Sequence, residues 1–157
     1  MEQRDKLLAE IETLRPQWEK ASKVRLDLEG APIPWPEDVA EGLKPASVKK
    51  EVETTVQASK DALTIEGWHC DEFPCIVAIT SKRKRYLDDA MDSMTKRGKG
   101  SLRFFSRSAR QGESPKRHMV VFTYWKGEPT DAMRKRIAWR MDQIIATFMD
   151  ANKADVP

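Results

Sequence analysis

The densest group of chemically capable side chains lies in the string GWHCDEFPC, where His69, Cys70, Asp71, Glu72 and Cys75 fall within seven positions. All five are zinc-ligand types, and His118 is the only other histidine that could join them. Their spacing does not fit a metal centre. Structural zinc sites pair cysteines two to four residues apart, and zinc deaminases place a Cys-x-x-Cys after the histidine motif, whereas Ile76 and Val77 follow Cys75 with no second thiol. The segment reads instead as a turn before a buried strand, with Cys75 as a small apolar core residue and both cysteines as free thiols. No metal or cofactor is expected.

A second chemistry belongs to the cations. Residues 81 to 118 hold 12 Lys/Arg against 4 Asp/Glu, a local charge of +8, while residues 1 to 80 carry −6 and residues 119 to 157 carry +1. Within the basic stretch, Lys82, Arg83, Lys84 and Arg85 are consecutive, and Lys96, Arg97, Lys99, Arg103, Arg107, Arg110, Lys116 and Arg117 follow among glycines and phenylalanines. On a strand over 101–108, Arg103, Phe105 and Arg107 would share one face, an aromatic platform between two phosphate binders. Nucleic acid asks for this combination, because cations displace condensed counterions and a ring stacks on any base. A solvated basic surface, in which Asp88, Asp89 and Asp92 neutralise part of the field, is the bland alternative. Lys82 to Arg85 stand at the start of a helix, where the macrodipole disfavours cations unless an anion binds, and this favours the polyanion reading.

Metal-dependent phosphodiester cleavage needs carboxylates and a lysine converging on one strand, and the run Cys75 to Ile79 carries no acid. Gly-x-Ser-x-Gly, dinucleotide, kinase, zinc-finger, RRM and KH signatures are lacking as well. No catalytic residue is assigned, and a nuclease-like enzyme stands only as a second alternative. The first alternative is a protein-interaction module, an inhibitor or assembly subunit, using amphipathic helices or matching the basic face to an acidic protein.

These residues need elements to hold them. From Arg4 to Leu28, apolar positions at Leu7, Ile11, Leu14, Trp18, Ala21 or Ser22, Val24 and Leu28 lay a stripe along a helix that Pro16 should kink or divide. Such helices either pack on the core or pair with another copy, a homo-oligomer, or another protein. The three prolines of residues 30–36, GAPIPWP, make a rigid connector able to hold the helices away from the core. A short helix over 37–44 and a longer one over 45–62 follow. Then come a weak strand at 63–66 and a short, buried β-branched strand at 75–79. A helix carrying Leu87, Ala90, Met91 and Met94 leads to strands at 101–108 and 118–126, and the last helix carries Met133, Ile137, Met141, Ile144 and Phe148. Trp139 falls off that last stripe, as a partner anchor or a core-edge residue.

The expected fold class is α+β: an acidic N-terminal helical arm over 1–62, then a β(β)αββα core over 63–157 with a small antiparallel or mixed sheet, together one structural domain. No apolar run approaches the length of a membrane span, and the start, MEQRDKLLAEIETL, lacks the form of a signal peptide, so a cytoplasmic, non-membrane protein is expected.

Overall fold

The computed structural model describes residues 2–97, 102–111 and 117–150, the side chains of 2, 102–105 and 111 excepted. In order, the elements are α1 (Glu2–Glu29), a 3-10 turn (Glu41–Leu43), α2 (Pro45–Ala58), β1 (Thr64–His69), β2 (Ile76–Ser81), α3 (Lys84–Arg97), β3 (Leu102–Gln111), β4 (Arg117–Lys126) and α4 (Asp131–Asp150). The fold is α+β, an N-terminal helix followed by helices on a four-stranded sheet of order β1-β2-β4-β3 with every pairing antiparallel. The ββαββα order matches the expectation, and the antiparallel alternative holds.

All six residues of β2 are buried, as a short β-branched run in the middle of a sheet covered on both faces requires. Alternation divides its side chains. Ile76, Ala78 and Thr80 share a face with their β4 partners Thr123, Val121 and Met119, and α4 lies over that face. Val77 and Ile79 share the opposite face with Phe122 and Val120, beneath α2 and α3. Val48 and Val52 of α2, Leu87 and Met94 of α3, and Ile137 and Met141 of α4 complete the core. β1 carries a bulge between Ile65 and Gly67. The extra residue, Glu66, is thereby turned towards Thr80 and Arg117.

Two features of the N-terminal region depart from the sequence reading. Helix α1 runs continuously through Pro16, so the second helix start that the proline offered is not used. It ends at Gly30, whose φ of +76° and whose N–H bond of 2.9 Å to the Leu26 carbonyl form a left-handed cap. A Cβ there would lie 3.3 Å from the backbone of Arg136, so the glycine also permits close approach to α4. The connector does not stand off from the core: Phe73 N–H donates to the Ile33 carbonyl at 2.9 Å, and Trp35 Nε1 donates to the Cys70 carbonyl at 3.1 Å. Trp35 also meets Phe73 edge to face, 5.4 Å between ring centroids.

The loop it grips holds a further correction. Cys70 and Cys75 are joined by a disulfide and are not free thiols. Five residues apart in sequence at the two ends of the β1–β2 connection, they are brought to a Cα separation of 4.3 Å by the hairpin itself.

Candidate functional site

Antiparallel registry gathers the cations at one end of the sheet. Ser81, the last residue of β2, pairs with His118, and His118 pairs with Arg110 on β3, so three strand ends lie side by side within about 10 Å. Lys82 to Arg85 continue directly from Ser81 into α3 and are all exposed. The Arg83 N–H donates to Ser81 Oγ at 3.2 Å, which ties the turn to the strand. Lys84 spends its charge on Asp88, 2.7 Å from both carboxylate oxygens. Arg85 stacks on Tyr86, 4.9 Å from the ring centroid, and donates to its hydroxyl at 3.1 Å, a bond that holds the phenol below its ordinary pKa. The first turn of α3 contains no acid. Helix dipole and side-chain charge therefore add at this point instead of cancelling.

The remaining predicted cations are elsewhere. Lys96 and Arg97 end α3, roughly 20 Å from its start, and Arg97 donates to the Thr55 hydroxyl of α2. Arg107 bridges to Asp142 of α4 at 2.7 Å. Arg117 turns under the sheet to donate to Glu66 at 2.8 Å and Thr80 at 2.7 Å. Lys99, Lys116 and the side chains of Arg103 and Phe105 lie outside the described residues, although Arg103 and Phe105 pair in register with Trp125 and Thr123. The sheet thus brings Lys82, Arg83, Arg85 and Arg110 together and disperses Lys96, Arg97, Arg107 and Arg117.

The histidines do not meet. His69 pairs with Ile76 at the start of β2, His118 with Ser81 at its end, and alternation puts them on opposite faces. Asp71 and Glu72 likewise sit at the opposite end of β2 from Lys82 and Lys84, so the groups a nuclease would bring together are separated by the length of a strand.

A cavity of about 670 Å³ opens between α4 and the β1, β2 and β4 strands. Its floor is Ala78 and Met119, its apolar wall Ile144 and Phe148, and its polar rim Glu66, His69 and Arg117. One end is closed by ionic contacts absent from the sequence reading. Arg140, 6% exposed, donates to the carbonyls of Pro74 and His69 at 2.9 Å and of Glu72 at 3.3 Å, and its Nε lies 3.1 Å from Glu72 Oε1. Arg136 meets the same carboxylate at 2.9 Å while lying over Trp139, 4.6 Å from its centroid. Glu72 accepts the Ile33 N–H as well, at 2.8 Å. Burial lowers the Arg140 pKa against the opposing pull of Glu72 and Asp71, and burial with Arg140 lowers that of His69. Trp139 is a half-buried wall of this assembly, the core-edge alternative of the sequence reading. The sequence signal for the clamp was faint: Arg136 and Arg140 are one helical turn apart, and Arg140 interrupts the inward stripe between Ile137 and Met141.

This clamp is structural chemistry. Its donors are consumed by backbone carbonyls and by Glu72, leaving none aimed at a substrate. Among the described residues, the basic sheet end and the exposed length of α1 present charge and apolar surface to solvent. Comparison with protein-family models, curated proteins and solved structures gives no match that would attach a known family to either.

Proposed function

We propose that the protein is a non-catalytic binding protein that takes a polyanion, nucleic acid first among them, at the basic sheet end. One observation carries this reading. Lys82, Arg83 and Arg85 stand at the N-terminus of α3, which has no acid in its first turn to balance them, and Arg110 lies near the end of β3 at the same edge of the sheet, two strands away. An anion bound there relieves like-charge repulsion and satisfies the helix dipole at once. The cytoplasmic expectation belongs to this proposal. The disulfide weighs against it, since such bonds persist in oxidising compartments.

Polarisation titrations with short single- and double-stranded DNA and RNA test the reading. Four phosphate contacts give a slope of log affinity on log salt of about −3.6, so binding should weaken roughly 150-fold between about 50 and 200 mM salt. Charge reversal at Lys82 and Arg83 should halve that slope. No binding at low salt, or binding indifferent to salt, removes the proposal, and salt-sensitive capture of an acidic protein but not nucleic acid transfers the surface to that partner.

A second reading, an assembly or interaction module that forms homo-oligomers through the N-terminal helix, has its own observation. Eight large apolar side chains of α1, from Leu7 to Leu28, are 45–69% exposed. Monomeric proteins rarely leave so continuous a stripe in water.

A further inference from the structure

We infer that α1 forms an antiparallel two-stranded coiled coil with a second copy of this chain. The inference rests on the assembly reading and specifies its partner and geometry. Leu7, Ile11, Leu14, Trp18, Ala21 and Leu28 follow a four-three spacing that Arg25 keeps in phase, which is the 3.5-residue repeat of a coiled-coil seam and not the 3.6-residue stripe of a helix seated on a globular core. Every residue from Gln3 to Ala21 is exposed, so this seam faces no part of its own core. Pro16 falls on the side of the helix away from the seam, where its missing N–H disturbs no contact.

The side chains along the seam select an antiparallel copy. With Ile11 opposite the partner's Leu28, the bulky Trp18 falls opposite the partner's small Ala21, and Arg25 falls opposite the partner's Leu14, whose face its aliphatic stem covers. A parallel pairing would set Trp18 against Trp18, leave a gap at Ala21 and oppose two Arg25 cations in the seam. A two-fold contact needs one self-complementary surface, and α1 has these features about a single centre near residues 19 and 20.

Sedimentation and light scattering of the full chain test this directly. The expected mass is twice 18.0 kDa, falling to the monomer on dilution. Ile11→Glu with Trp18→Glu should halve the mass while leaving the melting temperature of the concentration-independent core transition in place, because neither side chain touches the core. A wild-type monomer at every concentration overturns the inference, as does a dimer that survives the double variant. Orientation is read by oxidation. Leu14→Cys with Arg25→Cys should cross-link into covalent dimers while either substitution alone does not. Self-cross-linking of Leu14→Cys alone sinks the antiparallel geometry and leaves the assembly reading standing, so the two failures are distinct.

Discussion

Replacing Arg140 by methionine removes a guanidinium that is 6% exposed and bonded to the carbonyls of His69, Glu72 and Pro74 and to the Glu72 carboxylate. Methionine fills similar volume, so the cavity term is small and the loss is polar. Taking one partner from a buried ion pair costs about 3–5 kcal/mol. Glu72 keeps Arg136 and the Ile33 N–H, which places the pair at the low end of that range. The freed carbonyls add about 1–3 kcal/mol each where they stay dry, but the neighbouring cavity admits water to some of them, so about 3 kcal/mol is the working figure. For a chain of this size that corresponds to a fall of roughly 6–12 °C in melting temperature. Urea unfolding followed by tryptophan fluorescence measures it, with Arg140→Lys as the companion variant. Lysine retains the charge, yet a point-like ammonium cannot span three carbonyls and a carboxylate, so less than half the stability should return. A loss under about 1 kcal/mol would refute the reasoning that a dry, fully engaged fork holds the loop, a conclusion surface ion pairs would not support in any case. Full rescue by lysine would show that charge alone suffices.

Two further outcomes are expected. His69 has its pKa pulled below 6.5 by burial and by Arg140, so the folded state favours neutral imidazole. Its contribution is complete above 6.5 and is lost as pH falls through the lower folded value. His69→Gln should therefore make urea stability fall less steeply on acidification below 6.5, and an unchanged slope would contradict the assigned environment. If the dimer forms with Leu28 opposite Ile11, the two Leu28 positions stand about 25 Å apart along the helix axis, and each copy brings one basic end. Affinity should then rise abruptly once an oligonucleotide is long enough to reach both, by avidity, and the Ile11→Glu, Trp18→Glu variant should lose that step while keeping binding to short oligomers. A smooth length dependence shared by both proteins would separate the two surfaces.

Periodic elements were legible in the residues because their causes are local. The run from Cys75 to Ile79 could only be a buried strand, and the Met133 to Phe148 stripe could only be a helix on a core. What escaped depended on partners distant in sequence. Glu72 and Arg140 are 68 residues apart, and neither periodicity nor composition links them. The bulge at Glu66 follows from registry with β2, which no single strand reveals. The pairing of Cys70 with Cys75 follows from hairpin geometry, which brings their Cα atoms to 4.3 Å, and not from compartment, which is a population argument. A proline in a long helix removes one hydrogen bond among many, and α1 continues through Pro16 without dividing. The basic stretch was visible as a composition, but its division between a coherent sheet end and dispersed, paired cations needed the strand order.

Strand order also explains why binding surfaces could arise where they do. Helices α2 and α3 cover one face of the sheet and α4 the other, so the core is closed without the first two dozen residues. A helix whose apolar stripe closes no core has a hydrophobic driving force with nothing inside the monomer to satisfy it. Likewise, acids at Asp88 and Asp142 neutralise Lys84 and Arg107, while nothing in the first turn of α3 does the same for its entrance. Charge and apolar surface remain uncompensated at two separate places, one on the arm and one at the end of the core, so each can be altered without disturbing the fold that carries it.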